Sequence, residues 1–140
     1  QLPAYQSRRT ELARQYFSAL RSELQSAGLN DLGLELPVEN FTETNWHMFQ
    51  VLLPLERLTA DRAQVMTELK EQGIGSGVHY PIITGFTLYK NLGYQAADTP
   101  IANRIGRSIL TLPLFPAMTN EDIGRIAKGF VGILKKHRKN

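Results

Sequence analysis

Apolar side chains recur along the chain in two periods, which together predict a helix-rich fold with three short strands. Spacings of three and four residues predict helices over residues 8–25, 59–73, 85–92, 99–107 and 119–134. Compact apolar runs predict strands over residues 46–53, 74–81 and 109–112. Because three short strands cannot form an independent sandwich, we expect an α+β fold with a small three-stranded, mainly antiparallel sheet covered on one face by helices.

The predicted helices carry recognisable end signals. Gly28 and Gly73 stop the first and second helices, and Thr59 is the expected N-cap of the second. Thr99 followed by Pro100 starts a later helix, whose expected inward residues are Ile101, Ala102 and Ile105.

The first and last helices have the clearest inner faces. Thr119 and Asp122 have the spacing of a capping box that opens the last helix. The expected inner residues are Leu12, Ala13, Tyr16, Phe17, Leu20 and Leu24 in the first helix, and Ile123, Ile126, Ala127, Phe130, Val131 and Leu134 in the last. In the last helix, Gly124, Gly129 and Gly132 indicate either close packing against another backbone or simple tolerance of glycine at these positions.

Composition excludes several classes of protein. The chain has 140 residues, of which 42% are hydrophobic and 21% are charged, so we expect one folded domain over residues 1–140. The absence of cysteine excludes a disulfide scaffold, a thiolate nucleophile and a cysteine zinc site, and it fits a cytoplasmic location. No apolar run approaches the ~18–20 residues that span a bilayer. Because the chain begins with Gln1 rather than Met, we expect it to be processed, incomplete at its front or an internal piece of a longer protein.

The positive charge is concentrated at the C-terminus. The net charge is +3, and the sequence ends with the basic run Lys135, Lys136, His137, Arg138 and Lys139. A nucleic-acid site needs a basic stripe with interleaved aromatics or a known module, and neither is present. We therefore interpret the run as a solvated helix end and expect no nucleic-acid partner, with an acidic protein partner as a weaker alternative.

Three residues have side chains that are candidates for ligand binding: His47, His79 and Tyr80. His47 lies in a predicted apolar strand, where a hydrogen-bonded core histidine is favoured over a ligand. His79 and Tyr80 lie at the end of a predicted strand, where they either line a pocket and bind phosphate or sugar hydroxyls or simply end the strand. The glycine-rich residues 73–77 follow a helix and enter a strand, the reverse of a phosphate-binding loop. The histidines lack metal-ligand spacing, so no metal site is expected.

The order of several motifs resembles the C-terminal part of the DegT/StrS family of nucleotide-sugar aminotransferases. The motifs lie between residues 8 and 134, and the set in this order carries the resemblance. They are Arg8-Arg9, Asn45-Trp46-His47-Met48-Phe49-Gln50-Val51, Arg62 through Leu69 followed by Gly73-Ile74-Gly75-Ser76-Gly77-Val78-His79-Tyr80, Tyr89-Lys90 before Gly93-Tyr94, and, as the strongest motif, Leu112-Pro113-Leu114-Phe115-Pro116-Ala117-Met118-Thr119 before Asp122-Ile123.

This resemblance implies a fold-type-I, pyridoxal-phosphate-dependent enzyme, usually a homodimer, that moves an amino group, usually from glutamate, to a nucleotide-linked keto-sugar. The lysine that binds the cofactor belongs to the family's large domain, which would precede Gln1, and no lysine here matches its context. Residues 1–28 would be a helix that leads from the large domain, and residues 29–140 the α+β small domain. We expect this chain alone to bind no cofactor and to be inactive.

By the same resemblance, His79 and Tyr80 match the family's His-Tyr position, and His47 matches the histidine of its Trp-His strand. The resemblance implies that these three residues contact substrate. Ile82-Ile83-Thr84 depart from relatives that place a second histidine there. The alternative is a stand-alone binding or regulatory module, which predicts a polar outer face on the first helix. A domain fragment predicts an exposed apolar patch instead.

Overall fold

The computed structural model describes residues 2–139, which form five α-helices and two strands. In chain order these are α1 (Leu2–Ser26), β1 (Phe49–Leu52), α2 (Arg62–Glu71), α3 (Thr87–Asn91), α4 (Pro100–Ser108), β2 (Ile109–Leu112) and α5 (Asn120–His137). Short 3₁₀ turns lie at Leu55–Arg57, Ile83–Gly85 and Ala96–Asp98. None of the helices between residues 2 and 139 has the length and apolar character needed to cross a membrane.

The two strands form an antiparallel pair, which confirms the α+β class. The register runs from Phe49 opposite Leu112 to Leu52 opposite Ile109. Because side chains alternate across a strand, one face of the pair carries apolar residues that are almost fully buried. That inner face belongs to the single buried cluster that also includes the inner faces of α1 and α5. Its residues are Phe49, Val51, Leu110 and Leu112.

The prediction of a third strand over residues 74–81 is wrong. Only Gly77 pairs with β2, through backbone N···O distances of 3.0 Å and 2.8 Å to Thr111. Two residues further on, the His79 carbonyl accepts a hydrogen bond from the Gln50 side chain rather than from a strand. Glycines also weaken a strand, since they contribute no side chain to its packing.

Helix α1 starts six residues earlier than the periodicity predicts. Its first turns expose Leu2 and Tyr5, so they give no inner-face signal. The end is as predicted: Gly28 has a φ of +70°, and the Leu29 N–H donates to the Leu24 carbonyl at 2.8 Å. All six side chains predicted for its inner face are buried.

Helix α5 packs along α1, begins where it is predicted to begin and continues to His137, three residues beyond the predicted end. The capping box is present, with Thr119 and Asp122 each bonding the other's backbone N–H, and the six predicted inner residues are buried. Of the three glycines, only Gly129 is in a close contact, and this contact is with the side chains of Gln72 and Ile74 rather than with backbone. The prediction of close packing is wrong for Gly124 and Gly132, where a Cβ would meet no atom within 4 Å.

Two helix details differ from prediction. Asp61, not Thr59, is the N-cap of α2, because its side chain accepts from the Gln64 N–H at 2.8 Å. The Thr59 N–H instead donates to the His137 carbonyl at 2.8 Å. Helix α4 begins at Pro100 as predicted, but its expected inward residue Ile101 is 71% exposed. Ala102 is also exposed and Ile105 is only half-buried.

Candidate functional site

His79 is held beside the outer face of the sheet. Its Nδ1 lies 2.9 Å from the Thr111 Oγ1 of β2, and its carbonyl oxygen accepts a hydrogen bond from the Gln50 side chain of β1. Gln50 and Thr111 are opposite each other in the strand register. Each strand therefore supplies one polar side chain that anchors the same residue.

Gly77 makes room for the His79 ring. A Cβ at Gly77 would lie 2.7 Å from the Cε1 of His79, much closer than real side chains approach one another. The ring therefore occupies the space that any larger residue at position 77 would fill. This contact explains why a glycine stands at the point where the chain pairs with β2.

Tyr80 extends from this anchored residue toward solvent. Its side chain is 70% exposed, and its ring lies edge-on to the His79 ring with 5.3 Å between the ring centroids. The structure thus brings two of the three predicted site residues together. Imidazole and phenol groups side by side can bind phosphate or sugar oxygens through hydrogen bonds.

His47 is neither in a strand nor in the core, so the prediction of a core histidine is wrong. Strand β1 begins at Phe49, and Trp46 before it has a φ of +48°. Trp46 is buried whereas His47 is exposed. The His47 Nδ1 and backbone N each lie 3.1 Å from the Asn45 Oδ1. Within residues 2–139, no hydrogen bond joins His47 to His79 or Tyr80.

An exposed apolar stretch follows His79, and we call residues 80–101 the apolar segment. It contains the two 3₁₀ turns after Tyr80, helix α3 and the start of α4. Within the described residues, it carries eight of the twelve large apolar side chains that are exposed: Tyr80, Ile83, Phe86, Leu88, Tyr89, Leu92, Tyr94 and Ile101. Contiguous exposed apolar surface on a folded chain marks an interaction site.

The four cationic residues of the C-terminal run are exposed at a helix end, as predicted, but the run is also bound to the rest of the fold. His137 is buried, with its Nε2 2.7 Å from a carboxylate oxygen of Glu68. Hydrogen bonds from Lys136 and then from His137 lower the pKa of the Glu68 carboxyl. Arg138 donates to the Gly28 carbonyl at 3.0 Å, and its guanidinium lies 3.1 Å from the Asp31 carboxylate.

Sequence patterns did not identify Thr111 and Gln50 as partners of His79. Each is a polar residue in an otherwise apolar strand, on the face opposite the buried side chains. A polar residue at such a position is a sequence signal for a side chain outside the core. The missing information is the register, which puts them opposite each other and next to residue 79. A short apolar run alone does not specify its register.

Comparison with known proteins identifies a family. Residues 1–131 match the DegT/DnrJ/EryC1/StrS aminotransferase family. An uncharacterised protein of Methanocaldococcus jannaschii, MJ1066, is 30% identical over 108 residues, which cover 76% of this chain and 28% of that protein.

Two solved structures show the same fold. Spr1654 from Streptococcus pneumoniae, assigned as a sugar aminotransferase, superimposes with a TM-score of 0.76 at 24% identity over 96% of this chain and 32% of its own. NtdA from Bacillus subtilis, solved with bound cofactor PMP, superimposes with a TM-score of 0.68 at 31% identity over 94% of this chain and 28% of its own. The chain therefore spans about a third or less of the length of these relatives.

Proposed function

The chain belongs to the DegT/DnrJ/EryC1/StrS aminotransferase family, and on this basis we propose that it is the C-terminal small domain of a pyridoxal-phosphate-dependent aminotransferase. The sugar aminotransferase assignment of Spr1654 and the PMP bound to NtdA support this activity and this cofactor. For the full enzyme we propose a nucleotide-linked keto-sugar as the amino acceptor, in the synthesis of polysaccharide or glycan sugars.

The observation that carries the proposal is the position of His79 and Tyr80 at the start of the apolar segment. A large domain that covers this segment would remove its apolar side chains from water, which is the main driving force for such packing. His79 and Tyr80 would then lie at the boundary between two domains, and ligand sites form preferentially at such boundaries.

The cofactor does not fit the residues of this chain. Pyridoxal phosphate needs a lysine for its Schiff base and an acidic partner for its ring nitrogen. The side chains of all six lysines are exposed rather than enclosed in a site: Lys70, Lys90, Lys128, Lys135, Lys136 and Lys139. We propose that the cofactor is held by the large domain and that this chain alone is inactive.

In this proposal the chain supplies the substrate side of the active site. The His79 imidazole and the Tyr80 phenol bind substrate oxygens and orient the sugar. His47 binds substrate from a separate position, as its exposed ring permits. We further propose a homodimer for the full enzyme and a cytoplasmic location, with no role for a nucleic acid or a membrane.

The test uses the complete polypeptide encoded around this chain. It is purified with pyridoxal phosphate and assayed for amino transfer from glutamate to nucleotide-linked keto-sugars. We expect His79→Ala and Tyr80→Phe to raise KM for the sugar by about two- to tenfold, because each removes hydrogen bonds to substrate. Tyr5→Phe is the matched control, since Tyr5 is half-exposed on α1, far along the chain from His79.

Two results would refute the proposal. One is a site-specific, catalytically active complex of pyridoxal phosphate with the 140-residue chain alone. The other is a gene that starts close upstream of Gln1, which would favour the stand-alone module. The polar residues that α1 exposes after Tyr5 agree with that module, but the apolar segment does not.

A further inference from the structure

Among the described residues, the hydroxyl of Thr111 has one hydrogen-bond partner, the His79 ring. Thr111 is only 8% exposed, and its Oγ1 lies 2.9 Å from the His79 Nδ1. Within residues 2–139, its hydroxyl makes no other hydrogen bond. Because a buried hydroxyl rarely leaves its proton without an acceptor, hydrogen-bond satisfaction favours donation from the Thr111 O–H to Nδ1.

This direction of donation determines the tautomer of His79. A neutral imidazole that accepts at Nδ1 carries its proton on Nε2. Within the described residues, Nε2 has no hydrogen-bond partner, and it is not among the buried polar atoms that lack one. The free Nε2–H is therefore accessible as a hydrogen-bond donor.

Other contacts fix where this donor lies. The paired backbones of Gly77 and Thr111 hold the chain two residues before His79, and Gln50 binds the His79 carbonyl oxygen. The missing Cβ of Gly77 admits the ring at 2.7 Å from the position that this atom would occupy. The ring is thus restrained by its own backbone, by the space at Gly77 and by the Thr111 hydroxyl.

We propose that Thr111 is a positioning residue, which keeps His79 in the Nε2–H tautomer so that it donates to an acceptor oxygen of the substrate. This inference rests on the proposed function for the identity of the ligand, a nucleotide-linked keto-sugar. It specifies the role of His79 as a hydrogen-bond donor rather than as a base. A phosphate oxygen and a carbonyl or hydroxyl oxygen of the sugar share this chemistry.

The first test needs only the 140-residue chain with ¹⁵N-labelled histidine. At a pH where the ring is neutral, NMR should show a protonated Nε2 and a bare Nδ1 for His79, and a nuclear Overhauser effect between its Hε1 and a Gly77 Hα. Thr111→Ser should keep both signals. Thr111→Val retains the branched shape without the hydroxyl, and it should raise the Nδ1–H fraction or weaken the Gly77 contact. His47 provides an unchanged reference in the same spectra.

Either of two results overturns the inference: a His79 protonated on Nδ1 in the wild-type chain, or a Thr111→Val spectrum of His79 identical to wild type. The wild-type measurement decides the question even if the valine variant does not fold. These measurements involve no substrate. They therefore stand if the complete polypeptide does not act on nucleotide sugars.

The second test measures binding to the complete polypeptide. We expect Thr111→Val to weaken substrate binding by about two- to tenfold, with rescue by Thr111→Ser. If Thr111→Val weakens the binding of a nucleoside diphosphate and of the complete nucleotide sugar equally, the contact of His79 is with phosphate. Weakening for the nucleotide sugar alone places it on the sugar, and weakening for neither overturns the donor role.

Discussion

The Tyr16 hydroxyl of α1 donates to the carbonyl oxygen of Pro113 across 2.6 Å, and this bond joins the first helix to the residue that follows β2. The Tyr16 ring also stacks on Phe49 of β1, with ring centroids 4.6 Å apart. One side chain therefore connects α1 to both strands.

We expect Tyr16→Phe to lower the free energy of unfolding by about 1 kcal/mol. The ring stays stacked on Phe49, so the loss reports the hydrogen bond to Pro113 alone. Urea unfolding is the measurement, and Tyr5→Phe is the control because Tyr5 is half-exposed. Equal stabilities of the two variants would contradict this expectation.

The same residue predicts how stability depends on alkaline pH. Burial raises the pKa of the Tyr16 hydroxyl well above its ordinary value of about 10. Since the unfolded chain ionises at the ordinary value, this contribution is complete below about pH 10 and is lost as the pH rises further. Unfolding titrations should show a steeper alkaline decline for wild type than for Tyr16→Phe. Parallel curves would exclude this role of Tyr16.

The capping box of α5 predicts a response to acid. Hydrogen bonds from the Thr119 backbone and then from its hydroxyl lower the pKa of the Asp122 carboxyl. A lowered folded pKa contributes stability above the unfolded value of about 3.9, and this stability is lost as the pH falls through the folded pKa. We expect Asp122→Asn to be less stable than wild type at neutral pH and to lose less stability in acid.

Glu68 also contributes to acid unfolding, because hydrogen bonds from Lys136 and His137 lower its pKa. The informative quantity is therefore the difference between wild type and Asp122→Asn across the acid range. Thr119→Ser keeps a hydroxyl cap and serves as the control. A constant difference at all pH values would show that Asp122 does not act through its charge.

Two helical glycines should respond in opposite ways to alanine. At Gly132 of α5 a Cβ meets no atom within 4 Å, so Gly132→Ala should stabilise the protein by up to about 1 kcal/mol through helix propensity. At Gly106 of α4 a Cβ would lie 2.9 Å from the backbone nitrogen of Ile82, so Gly106→Ala should destabilise it. Thermal and urea unfolding of the pair provide the check, and a stabilised Gly106→Ala would disprove the contact.

The apolar segment should bind apolar probes without stabilising the isolated chain. Leu88 and Leu92 are each 65% exposed, so changing both to serine should leave the unfolding midpoint nearly unchanged. The same change should reduce the binding of a fluorescent apolar dye and any self-association. Val38→Ser is the matched control, since Val38 is 86% exposed but lies outside the segment. A large loss of stability in the double variant would show that the segment belongs to the core.

Local sequence signals predicted the elements whose partners lie within the chain. Strand β2 matches its predicted bounds because apolar residues run up to Pro113, and the start of α5 matches because a capping box precedes a regular apolar stripe. The prediction of a third strand is wrong because only Gly77 of that run pairs with β2. A glycine-rich run contains no information about the Gln50 side chain, which donates a hydrogen bond to the His79 carbonyl.

The candidate site was predicted less completely. His79 and Tyr80 follow a single bridge at Gly77 rather than the end of a strand. His47, which its apolar surroundings in the sequence place in the core, is exposed. The periodicity of α4 predicts an apolar face, and the apolar residues are present. Periodicity does not show whether that face turns toward the core of this chain. Ile101, which is predicted to face inward, is exposed, and the register that places Thr111 beside His79 is also absent from a linear pattern.

The anchored C-terminus has a consequence for synthesis. The hydrogen bond from Arg138 to the Gly28 carbonyl joins positions 110 residues apart, and α1 packs mainly on α5. On a ribosome, α1 therefore emerges long before the helix that covers its apolar face. Native contacts of such long sequence separation form late and slow folding. This part of the protein would reach its native packing only after residue 138 has left the exit tunnel.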